Sequence, residues 1–229
     1  MSHLKLTRRD LLSGAAALGI AGAMPELAAG RSPAVNLGLQ QTLAPDKDEW
    51  MNEPRHWKKK GSTLICTADP KTDFWRKTFY GYITDNGHFY HRRVSGDFST
   101  SVKFEGEYHD LYDQAGLMVR LDDNNWMKCG VEFVDGKPHM SVVFTRDFSD
   151  WSTFSLGDFT GPMWLRLERK KDSLDIFHSL NGKDFVEDRL GYFVPSPHVL
   201  VGPMLAAPEG KGFEVRFDDW TIGPPTPQA

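Results

Sequence analysis

Residues 117–133 read LMVRLDDNNWMKCGVEF and contain two stretches in which apolar and polar side chains alternate. In the second stretch, the apolar side chains of Met127, Cys129, Val131 and Phe133 alternate with those of Trp126, Lys128, Gly130 and Glu132. The Asp122–Asn125 segment between the two stretches consists of residues that favour turns. Because a period of two places successive side chains on opposite faces of a sheet, the sequence predicts an antiparallel hairpin.

The same alternation recurs along the chain, at 98–104, 164–168 and 213–218. Asp135-Gly136 and Asn181-Gly182 are strong hairpin-turn signals between such stretches. From Asn36 onward, no stretch sustains a helical period with capping residues. We therefore expect one all-β domain, a β-sandwich of two antiparallel sheets.

The composition excludes several classes of protein. Lys and Arg total 27, Asp and Glu total 31, and the net charge is −4, so the clustered basic surface of a nucleic-acid binder is not expected. The 40% hydrophobic fraction is ordinary for a globular protein. Cys66 and Cys129 are too few for a disulfide scaffold, and we expect both to be buried thiols.

The N-terminal segment resembles a twin-arginine export signal. Arg8 and Arg9 precede an uncharged run from Leu11 to Met24 that is rich in Ala, Gly and Leu. That run is shorter than the roughly 20 apolar residues of a membrane-spanning helix, so no stable membrane span is expected. The resemblance implies recognition by the twin-arginine translocase and delivery to the periplasm or beyond the cell.

We expect four segments along the chain, beginning with this export signal. Residues 1–29 form the signal peptide, 30–44 a linker, 45–223 the β-sandwich and 224–229 a Pro-rich tail.

Several segments in the middle and near the end of the chain resemble a known family. They are 112–120, 126–133, 141–143, 149–152, 201–204, 208–210 and 213–217. Together they resemble the domain-of-unknown-function family numbered 1349, often labelled regulation of enolase-like, over roughly residues 45–222. The resemblance implies a concanavalin A-like jelly-roll sandwich. It implies no reaction, because none is established for the family as a group.

Polar and aromatic side chains on one face of the predicted hairpin are the candidate binding site. The residues expected to bind ligand are Gln114, Arg120, Trp126, Lys128, Glu132 and Trp151. An aromatic plane beside charged and amide groups suits a sugar, whose C–H face stacks on the ring while its hydroxyls form hydrogen bonds. We therefore expect an open groove that binds an oligo- or polysaccharide. Cross-strand pairs on a merely exposed face remain the alternative.

Catalysis is a second hypothesis, with Glu132 as the candidate residue of a glycoside hydrolase or lyase. Lys128 is expected to keep Glu132 ionised, which suits a base or nucleophile. Hydrolysis also requires a second carboxylate, and the candidates are Glu105, Glu107, Asp110 and Asp113. A third hypothesis is a periplasmic domain that docks another protein and has no small ligand.

Metal and cofactor sites are not expected. His88 and His91 lie three positions apart on a predicted strand, so they face opposite sides. The Asp122–Asn125 turn lacks the spacing and the bidentate Glu of an EF-hand, which leaves calcium binding open and Asx-turn chemistry favoured. The chain contains no phosphate-binding loop, dinucleotide fingerprint or nucleophile elbow.

Overall fold

A computed structural model of the chain describes residues 47–226. Within this range, every regular element is a β-strand. In chain order the strands are β1 Glu49–Met51, β2 His56–Lys60, β3 Thr63–Thr67, β4 Phe74–Arg76, β5 Ile83–Asp85, β6 His88–Ser95, β7 Phe98–Gly106, β8 Gln114–Arg120, β9 Asn125–Val134, β10 Lys137–Arg146, β11 Phe148–Ser155, β12 Met163–Lys170, β13 Ser173–Ser179, β14 Val186–Tyr192, β15 His198–Ala206 and β16 Glu214–Gly223. The signal peptide and linker expected at 1–44, and the end of the expected tail, lie outside the described residues.

The strands form two seven-stranded sheets and one two-stranded sheet. Sheet A has the order β1-β6-β15-β8-β9-β10-β11, and sheet B has the order β14-β13-β12-β7-β16-β3-β2. Neighbouring strands in both sheets pair antiparallel. The two-antiparallel-sheet sandwich predicted from the alternating pattern is thereby confirmed.

The main hydrophobic core contains inward-facing side chains from both sheets. On β9, Met127, Cys129 and Val131 are buried in it, as the alternation predicts. On β7 of sheet B, Val102 and Phe104 belong to the same cluster. Burying apolar area of this kind contributes roughly 25 cal/mol per Å², so the alternating pattern decides which face of each sheet turns inward.

The two turns predicted from the sequence differ in length in the structure. Asp135 and Gly136 form a two-residue β9–β10 turn with φ angles of 51° and 75°, the conformation that an Asp-Gly hairpin favours. Asn181 and Gly182 lie in a longer loop, residues 180–185, between β13 and β14. Within this loop, the Asn181 side chain accepts hydrogen bonds from the Lys183 and Asp184 backbone nitrogens.

The two cysteines are free and buried in the main core. Cys66 lies on β3 of sheet B and Cys129 on β9 of sheet A. Burial raises the pKa of each thiol well above its ordinary value. The expected burial of both thiols is confirmed, and neither has the thiolate character that a reactive cysteine requires.

The small β4–β5 hairpin forms a separate layer on the outer face of sheet A. Phe74 and Trp75 from this hairpin pack with Trp126, Met118 and other side chains of that face in a second hydrophobic cluster. The outer face of sheet A is therefore covered over this area and does not form an open surface.

Candidate functional site

The six residues expected to bind ligand share one face of sheet A. In the β8–β9 register, Gln114 lies opposite Glu132 and Arg120 lies opposite Trp126, with Lys128 between them on β9. Lys128 also pairs with Val143, which in turn pairs with Trp151 on β11. The shared face predicted from alternation for Arg120, Trp126, Lys128 and Glu132 is confirmed, and Gln114 and Trp151 lie on the same face.

The expected open groove is wrong, because the β4–β5 hairpin covers much of this face. Trp126 is only 1% exposed, and its ring packs against that of Phe74 at a centroid distance of 6.2 Å. Alternation shows which side chains share a face, but it does not show whether a third layer covers that face. Trp126 is a core residue of the second hydrophobic cluster.

Arg120 anchors the covering hairpin. Its guanidinium donates two hydrogen bonds to the carboxylate of Asp85, at 2.8 and 2.7 Å, and one to Asp123 at 2.6 Å. The side chain is 3% exposed, so this paired arrangement is shielded from solvent. Arg120 and Trp126 therefore lie beneath the hairpin, away from the remaining opening of the face.

That opening is a narrow cleft beside the hairpin, with a cavity volume of about 40 Å³. Four of the six predicted residues line it: Gln114, Lys128, Glu132 and Trp151. The other lining residues are Asp73, Trp75, Tyr80, Tyr82, Tyr112, Pro208 and Glu209. The structure therefore splits the predicted set into cleft residues and residues that support the hairpin.

Aromatic rings form the walls of the cleft. Tyr80 and Tyr82 stack on one another with centroids 5.5 Å apart, and both are nearly half exposed. Across the cleft, the Trp151 ring meets Tyr112 edge to face at 6.3 Å and is 36% exposed. Exposed aromatic faces at a cleft present flat apolar area to a ligand.

The floor of the cleft is polar and contains the ammonium group of Lys128. Its Nζ donates hydrogen bonds to Gln114 Oε1 at 2.6 Å, to the carbonyl of Phe74 at 2.7 Å and to Asp73 Oδ1 at 3.3 Å. Gln114 Nε2 also donates to Asp73, at 3.3 Å. These contacts hold the floor side chains in fixed positions, and they offset the cost of burying the Lys128 charge.

Glu132 is the most buried carboxylate of the cleft. Its Oε2 accepts a hydrogen bond from Ser141 at 2.6 Å, and the Ser141 hydroxyl accepts one from the Trp151 indole at 3.0 Å. Burial raises the pKa of Glu132 above its ordinary value, although Lys128 and the Ser141 hydrogen bond act in the opposite direction. Loss of hydration therefore outweighs the attraction of Lys128 in setting this pKa, and the expectation that Lys128 keeps the carboxyl ionised stays a prediction.

A second carboxylate reaches the cleft, but it comes from a different segment than expected. Asp73, just before β4, contacts Lys128 and lines the cleft with Glu132. None of the four expected partners lines it: Glu105, Glu107, Asp110 and Asp113. Asp113 instead accepts hydrogen bonds from the backbone nitrogens of His109 and Asp110, at 2.9 Å each.

Two facing glycines shape the floor below Gln114 and Glu132. Gly116 pairs with Gly130, and Gly130 has a φ of 149°. A Cβ on Gly116 would lie 2.0 Å from the Cys129 carbonyl oxygen, and one on Gly130 would lie 2.1 Å from that of Ala115. The two strands therefore approach each other more closely here than residues with side chains would permit.

Sequence reasoning missed the whole hairpin wall of the cleft. The segment 74–82 reads FWRKTFYGY, and its density of aromatic residues around one glycine was the available signal. In the structure, Phe79 is 93% exposed at the tip of this hairpin. Tyr80, Tyr82 and Ile83 are also exposed, and a contiguous group of exposed apolar side chains is an indicator of a binding surface.

Metal-binding geometry is not found in the described part of the chain. Among residues 47–226, no group of three or more His, Cys, Asp or Glu side chains is placed to hold an ion. His88 and His91 lie on opposite faces of β6, as predicted, since His88 pairs with Leu205 of the main core and His91 stacks on Phe89 of the second cluster. The Asp122 carboxylate accepts hydrogen bonds from the Asn124 and Asn125 backbone nitrogens, which is Asx-turn chemistry. In the same range, no helix is long and apolar enough to span a membrane.

Comparison with known sequences gives two matches that cover most of the chain. The sequence profile of the family described as "Protein of unknown function (DUF1349)" matches residues 50–225. "Regulation of enolase protein 1" from Saccharomyces cerevisiae is 41% identical over 180 residues, which cover 79% of this chain and 91% of that protein.

Comparison with solved structures gives similar β-sandwiches. A functionally unknown protein from Saccharomyces cerevisiae has a TM-score of 0.76 at 40% identity, covering 79% of this chain and 97% of that chain. The GH43 BlXynB protein from Bacillus licheniformis has a TM-score of 0.60 at 17% identity, covering 75% of this chain and 35% of that chain. Carbohydrate binding module CBM66 from Bacillus subtilis has a TM-score of 0.51 at 12% identity, covering 76% and 94%. At these low identities the last two show similarity of fold alone.

Proposed function

We propose that the chain, which belongs to the DUF1349 family of proteins of unknown function, binds carbohydrate in its cleft. The family suggests no activity, so the proposal rests on the cleft itself. The observation that carries the proposal is the pairing of exposed aromatic faces with a fixed polar floor. Tyr82 and Trp151 offer flat apolar surfaces, and Gln114 and Glu132 offer hydrogen-bonding groups between them. This is the combination that a sugar ring with apolar faces and equatorial hydroxyls requires.

The charges of the cleft favour an uncharged sugar. Its cation, Lys128, is already paired with Asp73 and Gln114. Glu209 also lines the cleft. A uronic acid or sulfated sugar would bring a further negative charge against these carboxylates, and the described lining residues include no free cation to receive it.

The fold of the neighbours supports the same class of ligand. Two β-sandwiches of similar fold come from a GH43 protein and from a carbohydrate binding module. The similarity to the GH43 protein covers about a third of that chain, so its catalytic function is not transferred by it.

The test is a pair of tryptophan and phenylalanine variants on one strand. We expect Trp151→Ala to weaken binding of neutral oligosaccharides (cello-, xylo- or fructo-oligosaccharides in titration calorimetry) at least tenfold, about 1.4 kcal/mol. Phe154→Ala is the matched control, because Phe154 is 46% exposed on the same strand but faces away from the cleft.

Two outcomes would contradict the proposal of sugar binding. One is that none of these neutral oligosaccharides binds, and the other is that Trp151→Ala binds as well as Phe154→Ala. Oligogalacturonides, which carry a carboxylate on each residue, test the charge argument, since we expect them to bind more weakly than neutral sugars of equal length.

Glycoside hydrolysis is a second candidate, favoured by the pairing of a raised Glu132 pKa with a neighbouring carboxylate, Asp73. A carboxyl with a raised pKa suits a general acid, which donates its proton to the departing glycosidic oxygen. The test is a reducing-end assay with the sugars that bind. Under this candidate, Glu132→Gln keeps binding and loses turnover about 100-fold or more. Absence of turnover in the unmodified protein rejects hydrolysis and leaves binding.

We also propose that the protein is exported by the twin-arginine route and acts in the periplasm or outside the cell. The support is in the sequence, where Arg8 and Arg9 precede the uncharged run from Leu11 to Met24. A carbohydrate-binding function fits such a location, because the polysaccharides of a bacterial cell lie largely outside its cytoplasm.

A further inference from the structure

A second cavity, distinct from the sugar cleft, opens between the two sheets at one end of the sandwich. It has a volume of about 460 Å³ and lies among the end of β7, the β9–β10 turn and the loop 157–161. Protein interiors rarely leave voids larger than a few water molecules, because side chains pack to the density of organic crystals. A space of this size lies within the range of small-molecule sites.

The inner wall of this end cavity is apolar and continuous with the main core. Phe104 and Met163 are each 1% exposed and Val131 is 3% exposed, while Phe133 and Phe159 are half-buried nearer the mouth. An apolar ligand would therefore exchange water for contact with rings and aliphatic groups, which is favourable by about 25 cal/mol per Å² of buried area.

The end cavity and the sugar cleft use opposite faces of β9. Val131 faces the end cavity, whereas Glu132 and Lys128 face the cleft. Among residues 47–226, no side chain lines both openings. Occupancy of one site can therefore be tested independently of the other.

The mouth of the end cavity has an excess of negative charge. Glu105, Glu107 and Asp158 are exposed around it, and the cation at the mouth, Lys137, is paired with Asp158 at 3.0 Å. This arrangement repels anionic amphiphiles such as fatty acids and places no penalty on neutral or cationic molecules.

Tyr108 adds a polar group to the wall. Its ring lies over Gly106, where a Cβ would come within 2.6 Å of it, and packs against Phe213 at 5.1 Å. Among the described residues its hydroxyl is buried and has no hydrogen-bond partner. An unpaired buried donor is unfavourable, and an acceptor atom brought close to it would relieve that cost.

We propose that the end cavity binds a neutral or cationic apolar small molecule. The apolar inner wall, the volume and the acidic mouth favour ligands of this class.

The experiment compares two fluorescent probes that share one ring system, using the full-length protein. N-phenyl-1-naphthylamine is neutral, and 8-anilino-1-naphthalenesulfonate carries a sulfonate on the same scaffold. We expect saturable binding of the neutral probe and at least tenfold weaker binding of the sulfonate. Replacing Glu105 and Glu107 together by Lys should reduce that preference.

Variants locate the probe. Thr160→Trp places a large side chain at the mouth and should weaken binding of the neutral probe at least tenfold, whereas Ser95→Trp, on an exposed strand end outside the cavity lining, should not. Trp151→Ala should also leave the probe bound, which separates this proposal from the sugar cleft. The proposal is overturned if the neutral probe does not bind, if both probes bind equally, or if folded Thr160→Trp binds it unchanged.

Discussion

At the scale of single residues, Trp126 is a core residue, although its position in the alternating pattern predicted a ligand-binding role. The ring is 1% exposed and packs with Phe74 in the second hydrophobic cluster. We expect Trp126→Ala to destabilise the protein by about 3–5 kcal/mol, a fall of roughly 6–20 °C in the melting midpoint of a domain of this size.

Trp151→Ala is the comparison for this prediction, since Trp151 is 36% exposed. Thermal denaturation followed by circular dichroism measures both variants. A Trp126→Ala midpoint close to that of the unmodified protein would mean that the hairpin does not cover the ring in solution.

The buried carboxyl of Glu132 makes a prediction about pH. Its folded-state pKa lies above its unfolded-state pKa, so the folded protein holds this proton at pH values where the unfolded chain has lost it. The associated stability is present below the unfolded pKa of about 4.3 and is lost as pH rises through the folded pKa.

Glu132→Gln removes this dependence while preserving the shape of the side chain. We expect the difference in melting midpoint, variant minus unmodified protein, to increase between pH 4 and pH 7. Each kcal/mol of unfolding free energy that the unmodified protein loses over this range adds about 2–4 °C to the difference. Glu187→Gln, at an exposed position of β14, should show no such trend. A constant difference across this pH range for Glu132→Gln would show that burial does not hold the proton.

At the scale of elements, the β8–β9 pair depends on the absence of two side chains. A methyl group on Gly116 would meet backbone atoms of Cys129 and Gly130, which cannot move aside as a side chain can. We expect Gly116→Ala to cost about 1–3 kcal/mol or more through overpacking. Gly223→Ala is the control, because a Cβ there meets nothing within 4 Å. Equal melting midpoints for the two variants would contradict the close approach of the strands.

The strands of the sandwich were predictable from sequence, and the covering hairpin was not. Long strands such as β7 and β9 show several alternations, and their inward faces are fixed by burial of apolar area. β4 and β5 have three residues each, too few to establish a period. Nothing local in Phe74 or Trp75 specifies that they pack on the outer face of sheet A.

The candidate site was predictable only in part, because strand register is visible in the sequence and burial by distant segments is not. The shared face of Gln114, Lys128 and Glu132 follows from register, which is a local property of a hairpin. The pKa of Glu132 follows from burial, which depends on Asp73, Trp75 and other residues far away in sequence. The charge of Lys128, four residues before Glu132 on the same strand and visible in the sequence, is the weaker of the two influences on this pKa.

At the scale of the whole molecule, the export proposal makes a prediction about location. Replacing Arg8 and Arg9 together by Lys should leave the precursor in the cytoplasm of a bacterial host that has the twin-arginine translocase, because the receptor distinguishes the paired guanidinium groups from ammonium groups. Cell fractionation measures the distribution. Arg31→Lys is the control, since it lies outside the pair. An unchanged periplasmic yield of the double variant would refute the proposed route.

The order of strands in the two sheets also bears on how the polypeptide is synthesised. In sheet A, β15 lies between β6 and β8, and in sheet B, β16 lies between β3 and β7. On the ribosome, the strands from residues 49–95 therefore cannot join those from residues 98–192 in either sheet until residues 198–223 have emerged. A nascent chain remains with unpaired strand edges and apolar inner faces for most of its elongation, and such exposed surfaces are prone to aggregation. A premature stop before His198 would leave a fragment in which neither sheet can be completed, and such a fragment is a substrate for proteolysis.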